Sequence, residues 1–342
     1  LGFATRSRNG RAGAFLPSPF AANPSVVTTA QVSVVIPTFG RPMLVARAIR
    51  SAFAQTHRRI EIIVVIDGED PATVATLEAI DDPRLRWIVH PERRGAGPAR
   101  DTGALAATGE WVAFLDDDDE WLPTKLERQI AAAPADGRAL LMTLFRVVSP
   151  RGELVKPVRP YSGREPIDEW LFDRHSWLRG GEAMLQTSGL MMPAATFDHL
   201  RFRDTKQHEE WELAIRAVKE LGYAFIIVAE PLVVYYEPTA DTPSLSKTYT
   251  WQRSLEWIDG LRGLVTPRGY AGFCLTVATQ GLAGPGALHA FRTLLRAAFR
   301  HGRPTVRQLF AFVLIVAIPH RRRNQLRSFF GRRAAHRTIE QV

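Results

Sequence analysis

The sequence predicts a layered α/β domain, a mostly parallel sheet flanked by helices, followed by a C-terminal helical region. Three observations lead there. From Val32 to about Pro238, apolar β-rich runs alternate with segments whose apolar residues recur at helical spacing, the order that builds a sheet with helices on its faces. The runs are nearly continuous in apolar residues, as strands covered on both sides must be. From about Ser246 onward only helical spacing is found.

VSVVIP (Val32 to Pro37) is a buried strand closed by Pro37, which cannot donate to a sheet ladder. Leu44, Ala48, Ile49 and Ala52 then repeat at helical spacing. EIIVVID (Glu61 to Asp67) is a second buried strand, ending in a carboxylate before Gly68. A helix through Val74, Leu77 and Ile80 and a short strand LRWIV (Leu85 to Val89) come next. A small-residue helix around Ala99 to Ala107 leads into WVAFLDDDDEW (Trp111 to Trp121), a strand that runs straight into four acids. Three strand ends thus put polar groups where such a sheet binds ligands, beyond the carboxyl ends of its strands. Further on, Trp211, Ala214, Ile215, Val218 and Leu221 mark one apolar face of a helix starting near Glu209.

With 342 residues, 46% of them hydrophobic, the chain can bury a full core and a smaller second one, which excludes disorder for its bulk. Its single cysteine, Cys274, rules out an intramolecular disulfide framework and a multi-cysteine zinc site; lying in an apolar run, it reads as packing rather than as a nucleophile. The formal net charge of +9 points to a nucleic-acid binder until the charges are located. Arg6, Arg8 and Arg11 lie in residues 1–31, and seven arginines (321, 322, 323, 327, 332, 333, 337) in residues 320–342. Ten of the 44 basic residues and one of the 35 acids sit in those ends, leaving 34 of each sign between 32 and 319. The body is neutral, and a nucleic-acid partner is not expected.

Asp116 to Asp119 are the most informative local feature. Successive side chains after a strand point to opposite sides, so Asp116 and Asp118 can share one face. Clustered carboxylates repel unless a cation neutralises them, and hard oxygen ligands suit Mg²⁺ or Mn²⁺. A solvated acidic turn is the plain alternative, disfavoured by the strand ahead and by Trp121 and Leu122 behind. Because Mg²⁺ binds through one or two carboxylates plus a substrate's phosphates, the expected ligand is a diphosphate. Glu209 and Glu210 occupy the first turn of their helix, where acids complement the helix dipole; beside a phosphate site such a carboxylate can instead be a general base. His208 reads as a surface or capping group.

Taken together, VSVVIPTFGRP, EIIVVIDG, ARDTGALAATGEWVAFLDDDDEW and EEWELAIR, in that order over about residues 32 to 235, closely resemble the inverting family 2 glycosyltransferases of GT-A fold. The resemblance implies a catalytic domain over 32–245, between a flexible basic lead (1–31) and a helical region (246–342). It implies that Pro37, Thr38 and Phe39 pack and hydrogen-bond the nucleotide base, and that Asp67 accepts from the base's ring N–H. The family usually has two acids there, where this chain has Ile66 and Asp67. Arg100 becomes a donor to the nucleotide or its phosphates, in a segment usually written with Asn where Asp101 stands. Asp118 is the leading metal ligand with Asp116 beside it, and Asp116 and Asp117 also fall against the nucleotide sugar. Glu210 stands where the family's catalytic aspartate is expected, with Glu209 as the second candidate base.

The implied reaction is metal-dependent transfer, with inversion, from a nucleotide-diphosphate sugar to an acceptor hydroxyl on a glycan or lipid-linked acceptor. UDP-sugars are the first expectation and Mn²⁺ or Mg²⁺ the cofactor. Gln186, Thr187 and Ser188 are candidates for acceptor contact. Three other readings are weaker. A dinucleotide-dependent oxidoreductase wants G-x-G-x-x-G after its first strand, where this chain has PTFGRP. A sugar-nucleotide-forming nucleotidyltransferase is not supported by any glycine-rich, lysine-bearing phosphate loop. A binding protein that has lost catalysis is suggested only by the missing aspartate at position 210.

Residues 251–300 read as a helical cap packed on the catalytic domain; in the basic segment LHAFRTLLRAAFRHGRP (Leu288 to Pro304), Phe291, Leu294, Leu295 and Phe299 lie on one stripe. The most apolar stretch, LFAFVLIVAIP (Leu309 to Pro319), is about half the ~20 residues a spanning helix needs. It is followed at once by RRRNQLRSFFGRR, and apolar residues beside arginines suit the interface of an anionic membrane. The N-terminal stretch lacks the apolar core of a secretory signal. The expected location is therefore cytoplasmic, with residues 305–337 as a peripheral membrane attachment.

Overall fold

The four runs read as strands are parallel neighbours in the computed structural model, which describes residues 30–150, 152–175, 182–203, 207–237, 250–280, 282 and 286–318. They are β1 (Val32–Thr38), β2 (Ile60–Ile66), β3 (Leu85–Val89) and β4 (Trp111–Phe114), in the order β3-β2-β1-β4. Every residue of β1 is buried, which is why its run carries no alternation. Three helices return the chain between them: α1 (Pro42–Phe53), α2 (Pro71–Glu78) and α3 (Ala96–Leu105). Pro42 opens α1, where its missing N–H costs nothing. Asp70 caps α2 by accepting from the Thr73 N–H. A Cβ on Gly103 would lie 2.4 Å from Val35 Cγ1, so glycine there lets α3 sit close on the sheet.

The second half of the sheet is mixed. β5 (Glu120–Trp121), α4 (Lys125–Ala132), β6 (Ala139–Ser149), β7 (Gly152–Lys156), α5 (Ile167–Phe172), β8 (Met191–Pro193), α6 (Glu209–Lys219) and β9 (Ala224–Tyr236) follow in the chain. β8 lies antiparallel against β4 and continues the order to β6, β9 and β5, with β7 as a hairpin on β6. β6 and β9 run parallel. The carboxyl ends of β2, β1 and β4 therefore open side by side, and the turn that leads into β8 lies against the last of them.

One core packs under α1 and α4. The other lies across the sheet under α5, α6 and the C-terminal helices α7 (Trp251–Gly260), α8 (Pro267–Gly272), α9 (Ala287–His301) and α10 (Val306–Ala317). Phe172 meets the Trp257 and Phe273 rings at centroid distances of 6.2 and 5.1 Å, so the helical region shares this core with the sheet. Cys274 is buried there, and burial pushes its thiol up to about 12, consistent with a packing role. α9 turns Ala290, Leu294 and Ala298 inward; Phe299, expected on that stripe, is 58% exposed. The helix turns 100° per residue, so position 298 rather than 299 continues the line from 290 and 294. No helix among the described residues is long and apolar enough to cross a membrane. The lead before Ala30 and the arginine-rich tail after Ile318 lie outside the described residues.

Candidate active site

The four acids alternate. Asp117 and Asp119 are buried, whereas Asp116 and Asp118 stay partly open, with side chains 21% and 32% exposed. Each is held from a different direction. Thr38 Oγ1 donates to Asp117 Oδ2 at 2.7 Å, and the register that pairs Val35 with Phe114 carries Thr38 opposite Asp117. Arg41 Nη1 lies 3.0 Å from Asp117 Oδ1 and 2.9 Å from Asp118 Oδ2, and Arg47 Nη2 donates to the Asp118 carbonyl at 2.6 Å. From the other side, Ser188 Oγ donates to Asp119 Oδ2 at 2.5 Å and accepts from the Asp116 N–H at 3.0 Å. Gln186 Nε2 adds a 2.9 Å bond to Asp119. Gln186 and Ser188 are thus spent on orienting the acid run, and Thr187 is buried between them in the same turn.

Burial is the main force on these acids. It pushes Asp117 up to about 6, with Asp118 adding to the rise and Thr38 and Arg41 opposing it. Burial and then the Asp116 charge raise Asp118, against Arg41, so the two open carboxylates share one electrostatic field. Lys125, just behind the run, has its Nζ 3.7 Å from the Trp121 ring centroid and no hydrogen-bond partner among the described residues. Burial pushes it far down, so Arg41 and Arg100 are the working counter-cations.

Arg100, from α3, is buried, with Nη2 2.6 Å from Asp116 Oδ1 and Nη1 3.6 Å from Glu209 Oε2. It ties the acid run to the start of α6. Glu209 lies over α3 itself, where a Cβ at Gly97 would stand 2.9 Å from its Oε2. Next to it, burial first and then Glu209 and Asp116 push Glu210 up to about 7, against Arg100. α6 begins abruptly because His208 adopts a left-handed conformation, φ 62°. His208 is not a surface group: it is buried, stacked on Trp211 at 4.8 Å and 3.0 Å from Ser254 Oγ, and burial pushes it down to about 3. Trp257 and Phe273, which complete its cage, come from the distant helical region and leave no local signal.

At the end of β2, Asp67 accepts from the backbone N–H groups of Arg94 and Gly95 at 2.9 and 2.8 Å and lies 3.1 Å from His90 Nδ1. It thereby fixes the loop ahead of α3. Pro37 and Thr38 are buried, and of the three residues at the end of β1 only Phe39 remains partly open, with the Arg93 guanidinium 4.0 Å from its ring centroid. Sequence reasoning missed Arg41, Arg47 and Arg93. Arg41 did carry a signal, because a cation beside a helix N-terminus opposes the helix dipole unless an anion faces it.

Asp101 explains one departure from the family pattern. Its Oδ1 accepts from the Phe202 N–H at 2.9 Å, a bond an asparagine oxygen can equally accept. Burial pushes the carboxyl up to about 6, with Glu209 adding to it. A raised acid loses stability as pH rises toward its folded value. Asp101→Asn is therefore expected to raise the melting temperature at pH 8 and to leave it nearly unchanged at pH 4. Thermal unfolding at both pH values checks this, and an equal shift at both would assign the effect to something other than the charge.

The chemistry of Asp116 and Asp118 fits a divalent ion. Arg41 engages Oδ2 of Asp118 and Arg100 engages Oδ1 of Asp116, which leaves a second oxygen of each half-open carboxylate outside those pairs. Among the described residues no group of three or more His, Cys, Asp or Glu is placed to hold a metal ion by itself; Mg²⁺ ordinarily binds through one or two carboxylates plus substrate phosphates.

The glycosyl transferase family 2 model matches residues 33–191, ending before Glu209. The amylovoran biosynthesis glycosyltransferase AmsB of Erwinia amylovora is 27% identical over 247 residues, covering 69% of this chain and 79% of that protein. The succinoglycan biosynthesis protein ExoO of Rhizobium meliloti is 38% identical over 133 residues, covering 39% of this chain and 38% of that one. The mannosyltransferase PcManGT of Pyrobaculum calidifontis, solved with GDP-Man and Mn²⁺, shares the fold at TM-score 0.53 and 18% identity, over 88% of this chain and 77% of its own. With β1, β2 and the acid run all inside it, the matched segment, residues 33–191, belongs to glycosyl transferase family 2.

Proposed function

We propose that this enzyme transfers a sugar from a nucleoside diphosphate donor, UDP-linked in the first instance, to an acceptor hydroxyl with inversion, in polysaccharide or glycoconjugate synthesis. The observation that carries the reading is the joined site: half-open Asp116 and Asp118 at the end of β4, linked through Arg100 to Glu209 and Glu210 at the start of α6. The catalytic work falls to residues 32–245. Pro37, Thr38, Phe39 and Asp67 form the base end of the donor site, and Asp116, Asp117 and Arg100 its sugar and phosphate end. Gln186 and Ser188, expected at the acceptor, instead hold Asp119 and the Asp116 backbone in place, with Thr187 buried between them.

Glu210 accepts the proton of the acceptor hydroxyl as that oxygen attacks the anomeric carbon. The new carbon–oxygen bond forms on the face opposite the departing diphosphate, which leaves with the electrons of the broken bond, so an α-linked donor gives a β-linked product. A carboxyl held near 7 suits a base that must be ionised at neutral pH yet hold a proton. This weighs against a binding protein without catalysis. Mn²⁺ or Mg²⁺, held by Asp118 and Asp116, would neutralise charge on the leaving group. A panel of sugar nucleotides tests the reading: free nucleotide should be released with one or a few donors, only with Mn²⁺ or Mg²⁺, and NMR of the product should show the inverted anomer. Release without added metal, or a retained anomer, would defeat it.

The acceptor is read as a lipid-linked or growing glycan at the cytoplasmic face of a membrane. α10 supports this with two apolar faces: Ala311, Phe312 and Ile315 are buried, while Val306, Phe310, Val313 and Val316 are 86%, 57%, 58% and 42% exposed. An outward helix face is ordinarily polar. Here it is apolar beside Arg303 and Arg307, ahead of the seven tail arginines, a combination suited to an anionic interface. The protein is expected to float with anionic vesicles at low salt and to release as salt rises. Phe310→Glu with Val313→Glu, which spares the buried face, should abolish flotation; undiminished flotation would remove α10 from the contact.

A further inference from the structure

Arg41 stands at the end of the loop from β1, immediately before Pro42 of α1, and its side chain is 13% exposed. No acid lies in the first turn of α1, so the cation faces the positive end of the helix dipole. Its position is explained by what it meets, since one nitrogen, Nη1, reaches both Asp117 at 3.0 Å and Asp118 at 2.9 Å. The two contacts are unequal. Asp117 is buried and already accepts from Thr38, so it needs a fixed counter-charge and anchors the guanidinium. Asp118 is 32% exposed, and its half of the contact opens toward the site.

We propose that Arg41 is a tethered counter-ion, pinned on Asp117, that competes with the divalent ion for Asp118, so that the enzyme takes up metal tightly only together with the donor's diphosphate. The inference rests on the reading of Asp118 as a metal ligand. A guanidinium and a dication beside one carboxylate repel each other. Without the donor, the two open carboxylates are already paired with arginines, Asp118 with Arg41 and Asp116 with Arg100. The diphosphate brings negative charge to the same place and relieves the repulsion, so that metal and donor bind cooperatively.

The test is a titration of Mn²⁺ alone with the full-length protein, following the free-ion EPR signal, without and with UDP. Without nucleotide, Arg41→Gln should bind Mn²⁺ about tenfold more tightly than the unaltered enzyme, whereas Arg41→Lys, which keeps the charge, should stay within about twofold. UDP should tighten Mn²⁺ binding more in the unaltered enzyme than in Arg41→Gln. Equal or weaker binding by Arg41→Gln, or tightening by Arg41→Lys as well, overturns the proposal. Asp118→Asn separates the two layers. If it removes Mn²⁺ binding while Arg41→Gln changes nothing, the metal site stands and only the counter-ion falls. If no variant or condition shows Mn²⁺ binding, both fall. Should Arg41→Gln fail to fold because Asp117 is left unpaired, Arg41→Gln with Asp117→Asn removes that buried charge, and its Mn²⁺ affinity against Asp117→Asn alone decides the question in the same way.

Discussion

Asp118→Asn is expected to abolish metal-dependent transfer while leaving the fold intact. The side chain is the most open of the four acids and, among the described residues, makes one side-chain ion pair, to Arg41, so an isosteric amide removes the charge with little loss of packing. What disappears is half of the carboxylate pair that would hold the ion, and with it the charge stabilisation of the leaving diphosphate, a contribution worth several kcal/mol in metal-assisted displacements. The expected result is loss of nucleotide release at any Mn²⁺ concentration, with circular dichroism and melting temperature close to those of the unaltered protein. Asp117→Asn is the informative contrast. Asp117 is buried and bridges Thr38 and Arg41, so its substitution should disturb stability and the placement of Arg41 before it touches the metal. Full activity in Asp118→Asn, with unchanged Mn²⁺ dependence, would remove that residue from the site.

Much of this site was legible because its parts lie where a local pattern ends. β1, β2 and β4 read as strands since a parallel strand buried on both faces is apolar at nearly every position; the β2 and β4 runs stop at Asp67 and Asp116, whereas β1 continues past its expected close at Pro37 to Thr38. The start of α6 was legible from the spacing of Trp211, Ala214 and Ile215, which puts Glu209 and Glu210 in a first turn. The alternation of the acid run was legible too, because it follows from backbone geometry alone. What could not be read is every contact made across the fold. Arg41 meets Asp117 and Asp118 from 76 and 77 residues away, and Ser188 meets Asp119 from 69. No periodicity carries such pairings, which depend on the order of strands in the sheet. His208 failed as a surface group for the same reason, since its cage is built by residues of the helical region. Phe299 failed because a stripe of large residues does not show which edge of it the core will meet.

Glu210→Gln should lower turnover by at least the roughly 10²-fold typical of losing a general base, with little change in donor affinity. The amide keeps the shape of the side chain and part of its hydrogen bonding, so binding of the nucleotide, which is placed at the ends of β1, β2 and β4, should survive. The pH dependence makes the prediction sharper. Burial, with Glu209 and Asp116 close by, holds the carboxyl near 7 against an ordinary value of 4.5, and the base works only when ionised. kcat/KM in the unaltered enzyme is therefore expected to rise with pH through about 7, and that limb should vanish in the variant. Stability must move the opposite way. The folded state holds this proton more tightly than the unfolded chain, so the unaltered protein loses stability as pH rises from 4.5 through 7, a penalty that glutamine does not carry. The variant should accordingly melt a few degrees higher at pH 8 and about equally at pH 4. A variant that is slow, more stable only at the higher pH, and unimpaired in donor binding identifies Glu210 as the base. One that loses donor affinity and turnover in equal measure identifies it as a binding group, and Glu209, 3.6 Å from Arg100, becomes the residue to substitute next.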